Sequence, residues 1–229
     1  MATIYWAGDS TVQFNDISRY PQTGIAQVFN LFIKPEVNIS NHAINGRSTK
    51  SFIDESRLEP IYDSITEGDF LFIQFGHNDE KKDDPARFTE PFGEFIVNLE
   101  KFVNVARNKK AYPVIITPVE RRDFIDKSVT PEFDHTDYVS AMKQTAERLD
   151  VALIDLNAMS REELKRIGLE ASKDWYMHVP VGKYPYYMDG LADNTHLKYA
   201  GAVAYGGCIA KGLKALGGVY EDILLDGLI

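Results

Sequence analysis

Tyr5-Trp6-Ala7-Gly8-Asp9-Ser10-Thr11 is the stretch on which the fold of this chain turns. The apolar run 4–7 leads straight into Gly-Asp-Ser, the pattern of a short buried strand ending in a tight turn. Gly8 tolerates backbone angles that a Cβ resists, so the chain can bend sharply there. Ser10 then stands just past the strand, with its hydroxyl presented above a sheet. A serine so placed becomes a nucleophile when a base reaches it. The same residues also suit a strand, a turn and a helix cap, since Asp and Ser are common caps.

Downstream, the apolar pattern alternates between strand and helix. Residues 24–32 carry Ile25, Val28, Phe29 and Phe32 at helical spacing and stop before Pro35. A second short strand, 37–39, runs into the loop Asn41-His42-Ala43-Ile44-Asn45-Gly46-Arg47-Ser48. Residues 51–65 suit one or two short helices interrupted by Pro60. Phe70-Leu71-Phe72-Ile73-Gln74-Phe75 is the most strand-like run, and it ends in Gly76-His77-Asn78-Asp79. A charged loop, 80–87, precedes a helical pattern over 92–107. A fourth strand, 112–117, is closed by Pro118, and 120–134 reads as a polar, irregular surface loop near the site. Helix 138–149, strand 151–155 and helix 158–167 follow.

Residues 171–194 hold Trp175, Tyr176, His178, Tyr184, Tyr186 and Tyr187 in a long irregular excursion, and such loops are often functional. A last helix over 197–216 leads to an apolar-rich tail, 219–229, that packs on the body or a partner. Five strands alternating with helices define an α/β class: three layers, with a five-stranded parallel sheet covered on both faces. A chain of 229 residues suits one domain, or at most two small ones, and it is read as one over 1–229. Ligands of such sheets bind outside the carboxyl ends of the strands, where the loops after strands one, two and three lie.

Composition narrows the partners. The net charge of −9 argues against nucleic acid, whose phosphates need a basic face. No apolar run approaches the roughly 20 residues that span a bilayer, so no membrane partner is expected. No basic segment followed by an apolar stretch opens the chain, so no signal peptide is read and the expected location is cytoplasmic. The single cysteine, Cys208, excludes an internal disulfide and a cysteine metal cluster. Its neighbours make it a small buried residue on a helix. No cofactor and no metal is called for.

Asp193-Asn194-Thr195-His196 precedes the last helix. Asp and His three positions apart can meet: the carboxylate accepts the Nδ1 proton and leaves Nε2 free to take a proton from a hydroxyl. Ser10 is then the nucleophile, His196 the base and Asp193 its orienter. The competing reading is an Asx or Thr cap on a helix beginning near Leu197. Acyl transfer also needs donors for an oxyanion. The candidates are the backbone N–H of Ser10, that of Gly46 and the side-chain amide of Asn78. An ordinary turn at Gly46 and an Asx turn at Asn78 are the alternatives.

Gly8-Asp9-Ser10, Gly46, Gly76-His77-Asn78-Asp79 and Asp193-Asn194-Thr195-His196 come in the order of the SGNH, or GDSL-type, hydrolases, which the chain resembles from residue 8 to 196. Gly-Asp-Ser-Thr, Asn45-Gly46-Arg47-Ser48 and Asp193-x-Thr195-His196-Leu197 are similar to the rhamnogalacturonan acetylesterase branch. The resemblance implies a flavodoxin-like sheet order 2-1-3-4-5, the triad Ser10, Asp193 and His196, and the oxyanion donors Ser10, Gly46 and Asn78. It implies removal of acetyl groups from pectin-derived sugars through an acetyl-serine. The missing signal points to imported oligosaccharides rather than the polymer.

Around that centre, Asp9 is expected to bond loop amides and His77 to order its loop or meet substrate. Arg47 contacts sugar hydroxyls or a galacturonate carboxylate, or forms a surface salt bridge. Trp175, Tyr176, Tyr184, Tyr186 and Tyr187 stack on sugar faces or pack the excursion. The alternatives are another SGNH esterase (a xylan deacetylase, lipid esterase or thioesterase), a carbohydrate-binding protein without turnover, and a metal-dependent phosphoesterase. The last would draw ligands from Asp9, His77, Asn78, Asp79, Asp193 and His196. Against it, residue 11 is Thr where such enzymes usually carry His.

Overall fold

A strand buried on both faces needs apolar side chains at every position, not at alternate ones. Phe70, Leu71, Phe72 and Ile73 meet that demand, none more than 2% exposed. The computed structural model describes residues 2–125, 128–129 and 135–227. Residues 126, 127 and 130–134 of the polar stretch, and 228–229 of the tail, lie outside the described residues. The strands in chain order are β1 (Thr3–Gly8), β2 (Asn38–Asn41), β3 (Phe70–Gln74), β4 (Tyr112–Ile116), β5 (Phe124–Ile125), β6 (Ser128–Val129), β7 (Ala152–Ile154), β8 (Tyr176–Val179) and β9 (Leu191–Leu197). Five of them form the central parallel sheet, in the order β2-β1-β3-β4-β7. Within that sheet the order is 2-1-3-4-5, as the resemblance implies. Tyr5 lies between Ser40 and Leu71, and Phe72 lies opposite Val114.

The two-residue period of a strand deals its side chains to two cores. Ile4, Trp6, Phe70, Phe72, Val114 and Ile154 enter one core. It is closed by α5 (Leu156–Ile167) and α6 (Tyr199–Leu216), through Leu164, Tyr205, Ile209 and Leu213. Tyr5, Ala7, Leu71, Ile73 and Ile115 enter the other. There α1 (Thr49–Asp54), α2 (Glu59–Ser64), α3 (Glu94–Asn108) and α4 (Thr136–Leu149) close over them through Phe52, Ile61, Phe102 and Met142. Cys208 is 3% exposed in the first core, where burial pushes its thiol up to about 11. No helix among the described residues is long and apolar enough to cross a membrane.

Several segments depart from the expectation. Residues 24–32 form two 3-10 turns, Ile25–Gln27 and Phe29–Leu31, rather than an α-helix. Long-range bonds hold them: Ile25 N–H donates to Thr11 O, and Gln27 Oε1 accepts from Asn15 N–H and Gly24 N–H. Pro60 does not interrupt a helix. It lies in the first turn of α2, where its missing N–H forfeits no bond. The break comes earlier, at Ser56 with φ +55°.

The stretch after strand four is not all surface, for Glu120 and Arg122 are buried. The aromatic excursion is irregular only over 180–190 and at its start. Its alternating Tyr-Met-His-Val pairs as β8 with β9 in a separate antiparallel ribbon. The tail packs on the body, with Ile223 and Leu224 buried and Leu224 bridged to Ile33.

The close approach at Gly24 gives a test of the fold. A Cβ on Gly24 would lie 2.1 Å from the Gln13 carbonyl oxygen, which is backbone and cannot step aside. On Gly207, inside α6, the nearest atom would be 3.6 Å away. Gly24→Ala should therefore destabilise by at least about 1–3 kcal/mol, the usual range for forced overpacking. Gly207→Ala should be neutral or stabilise by up to about 1 kcal/mol through helix propensity. Thermal melts of the two variants decide it, and shifts in the same direction would refute the packing described.

Candidate active site

The turn after β1 is built by a buried carboxylate. Asp9 is 1% exposed, and its Oδ1 accepts from Thr11 N–H at 2.9 Å and Thr11 Oγ1 at 2.8 Å. Its carbonyl accepts from Val12 and Gln13, so the chain turns at once and Ser10 projects from the bend. Gly8 does not supply the bend, because it stays out of the left-handed region. It supplies room: a Cβ there would lie 2.9 Å from Gln74 O on β3.

Opposite Ser10, β9 delivers the second half. Ser10 Oγ is 3.0 Å from His196 Nε2, and His196 Nδ1 is 2.7 Å from Asp193 Oδ2. Asp193 Oδ1 accepts the backbone N–H groups of Thr195 at 2.7 Å and His196 at 3.0 Å. Burial pushes the Asp193 carboxyl up, but the His196 side chain and these two amides outweigh it and bring it down to about 2. An ionised Asp193 only accepts, so Nδ1 carries the imidazole proton and Nε2 faces the serine hydroxyl as acceptor. The helix-cap reading of 193–196 does not hold: α6 starts at Tyr199, behind Lys198, and the residues lie on a strand.

Ile44 N–H donates to Gly8 O, which sets the 44–47 turn beside the serine. Gly46 has φ +78°, a conformation that a side chain would strain. Neither the Ser10 nor the Gly46 backbone N–H meets an acceptor among the described residues. Asn78 is 4% exposed; its Nδ2 donates to Arg47 O at 3.1 Å, and its Oδ1 accepts from Arg87 Nη1 at 3.3 Å. Asn78 thus meets the same 44–47 turn that Gly8 O holds.

Four residues with two expected roles, substrate contact or support, make supporting contacts. Tyr176 is fully buried; its hydroxyl donates to Glu120 O at 2.7 Å and lies 2.8 Å from that of Tyr205. Trp175 packs edge-on against Tyr205 at the border of the core. His77 is 3% exposed, with Nδ1 3.3 Å from Asp9 Oδ2 and its ring edge-to-face with His135 at 4.4 Å. Arg47 clasps Glu55 Oε2 at 3.0 Å and Asn45 O at 3.0 Å, so it pins its own turn. Core packing holds the two aromatics, a buried contact with Asp9 holds His77, and an ion pair with Glu55 holds Arg47.

Tyr184, Tyr186 and Tyr187 remain at the surface, joined by a residue that sequence reasoning passed over. Tyr20, 56% exposed, meets Tyr184 edge-on, and Arg19 lies over the Tyr186 ring at 4.0 Å. Tyr187 Oη donates to Gln22 Oε1 at 3.2 Å.

Two arginines were also missed. Arg87 touches Asn78, and Arg121 donates to Glu80 and, at 3.3 Å, to Thr195 Oγ1. Glu80 Oε2 in turn lies 2.7 Å from His135 Nδ1. In both the His77–Asp9 and the His135–Glu80 pair, a ring nitrogen and a carboxylate oxygen lie within 4 Å, at 3.3 and 2.7 Å. Beside both arginines opens a cleft of about 990 Å³, also lined by Lys81, Asp84 and Tyr138. Among the described residues, no three His, Cys, Asp or Glu side chains converge as a metal site would require.

Residues 7–202 match the GDSL-like Lipase/Acylhydrolase family. The rhamnogalacturonan acetylesterase RhgT of Bacillus subtilis (strain 168) is 39% identical over 225 residues, 97% of this chain and 94% of its own. The rhamnogalacturonan acetylesterase of Emericella nidulans is 28% identical over 243 residues, covering 97% of this chain and 89% of its own. The crystal structure of Bacillus subtilis YxiM matches with a TM-score of 0.80 at 27% identity. That match covers 94% of this chain and 57% of YxiM, so the chain spans little more than half of that protein.

Two buried groups behind the serine make opposite demands on pH. Burial and the neighbouring His135 push His77 from 6.5 down to about 4, against the pull of Asp9. As pH falls through that window, the unfolded chain binds a proton that the folded chain refuses, so stability is lost. Burial pushes Asp79 from 3.8 up to about 7, against bonds from Thr49 and Thr89. As pH rises through that second window, the unfolded carboxyl ionises while the folded one keeps its proton, so stability is again lost. Urea unfolding across pH 4–7 should show a slope of stability against pH steeper upward in Asp79→Asn than in the wild type. The slope should be lower in His77→Gln. Both variants moving the slope the same way would contradict these environments.

Proposed function

The chain belongs to the GDSL-like Lipase/Acylhydrolase family, and from that premise we propose that it is a serine esterase that removes acetyl groups from carbohydrate, with rhamnogalacturonan fragments of pectin as substrate. The observation that carries the chemistry is the line from Asp193 through His196 to Ser10, with contacts of 2.7 and 3.0 Å. The sugar is supported by the relatives RhgT and that of Emericella nidulans, both rhamnogalacturonan acetylesterases.

The reaction runs in two halves. Ser10 Oγ bonds to the acetyl carbonyl carbon as its proton passes to His196 Nε2. The carbonyl oxygen becomes an oxyanion, held by the N–H groups of Ser10 and Gly46 and by the Asn78 amide. The carbon–oxygen bond to the sugar breaks, and His196 returns its proton to the leaving sugar hydroxyl. Water then attacks the acetyl-serine, giving its proton to His196, and acetate leaves as Ser10 Oγ is reprotonated. Asp193 keeps its charge throughout and holds the imidazole in the productive tautomer. The exposed rings of Tyr20 and Tyr186, on the segments that lead from Ser10 and toward Asp193, form the sugar-binding face.

Acetate release from acetylated rhamnogalacturonan, pectin and xylan oligomers tests the reading. The rhamnogalacturonan oligomer should be turned over fastest, and Ser10→Ala should release no acetate. Faster release from xylan would move the substrate, and none from any sugar would remove the reading. Asp193→Asn should lower kcat by up to about 10⁴, as loss of the orienting carboxylate does in serine proteases. Tyr186→Ala should raise KM for the oligomer and leave 4-nitrophenyl acetate unaffected. Equal effects on both esters would deny the ring a part in sugar binding.

A further inference from the structure

Asn78 stands between an acceptor and a donor. On one side the Arg47 carbonyl, which can only accept, faces Nδ2 at 3.1 Å. On the other the Arg87 guanidinium, which can only donate, faces Oδ1 at 3.3 Å. Together they leave the amide one stable orientation. Turned about its last bond, it would set oxygen against a carbonyl and NH₂ against a guanidinium. An oxyanion donor needs this control, because a flipped amide would present its oxygen to the developing negative charge.

Arg87 is itself held. Its Nε donates to Asp84 Oδ2 at 2.5 Å, its backbone N–H donates to Asp84 O at 2.9 Å, and Asp84 Oδ1 accepts from Ala86 N–H at 3.1 Å. The planar fork of arginine serves both Asp84 and Asn78, which a lysine cannot do. Arg87 also borders the Gly46 turn, since a Cβ on Gly46 would lie 3.7 Å from Nη1. We propose that Arg87, braced by Asp84, is the positioning residue that aims the Asn78 amide at the oxyanion. The inference rests on the esterase reading above, in which Asn78 is an oxyanion donor.

The experiment is a double-mutant cycle on 4-nitrophenyl acetate with wild type, Asn78→Ala, Arg87→Ala and the double variant. Asn78→Ala should lower kcat by about 10²–10³ and move KM little. Arg87→Ala should lower kcat by about 10- to 100-fold, less than the loss of the donor itself, again with little change in KM. In the Asn78→Ala background the same change should cost nothing further, because the group it aims is gone. Arg87→Lys should stay impaired in kcat, and it carries the cycle if Arg87→Ala does not fold. An equal loss in both backgrounds would overturn the positioning role, as would full activity in Arg87→Lys. A rise in KM with kcat unchanged would do so too, making Arg87 a substrate contact in the cleft. If Asn78→Ala itself keeps full kcat, the oxyanion reading fails first, and the inference falls with it.

Discussion

The site depends on one carboxylate that is out of reach of water. Asp9 turns the chain through Thr11 and Val12, and nothing else in Gly8-Asp9-Ser10 bends it. Its other oxygen faces His77, whose ring lies against His135. From there the contacts run through Glu80 and Arg121 to Thr195, between Asp193 and His196. The residue before the nucleophile is thus tied through the interior to the residue before the base. Fully buried ionisable groups are costly unless partnered, so this chain of contacts holds two loops in register at a cost borne by the core.

A second anchor is Asp79, one residue after Asn78. It accepts from Thr49 N–H at 3.0 Å and Thr89 Oγ1 at 3.1 Å, and Tyr138 donates to its carbonyl at 2.9 Å. The start of α1, the approach to α3 and the first turn of α4 therefore meet on one residue of the motif that holds Asn78. Asp79 gathers helices and Asn78 faces the reaction, so neighbours in sequence divide support from chemistry.

The sheet was legible because its three central strands, β1, β3 and β4, are buried on both faces and bounded by Gly, Pro or Asp. The line from Asp193 through His196 to Ser10 was legible because Ser10 follows the first strand and the other two stand three positions apart shortly before the last helix. What escaped has a common cause. Arg87 and Arg121 act through contacts 9 and 74 positions away in sequence, and no local pattern marks them. Tyr176 and Trp175 stayed between two readings because an aromatic beside a site and one beneath it look alike until burial is seen. The 24–32 segment has helical spacing, but Ile25 N–H donates to Thr11 O and the Gln27 side chain accepts from Asn15 N–H, and tertiary bonds override spacing.

The nucleophile and the base belong to different pieces of backbone. Ser10 rises from the five-stranded sheet, while Asp193 and His196 ride on the β8–β9 ribbon, which shares no ladder with it. The tip of that ribbon is open: Val181 is 77% exposed and Gly182 has free space around it. Backbone of this kind accepts inserted or deleted residues without disturbing a core. Lineages of this architecture can therefore lengthen or trim the rim on the base's side and diverge in the sugars they accept, with the hydrolytic centre inherited unchanged.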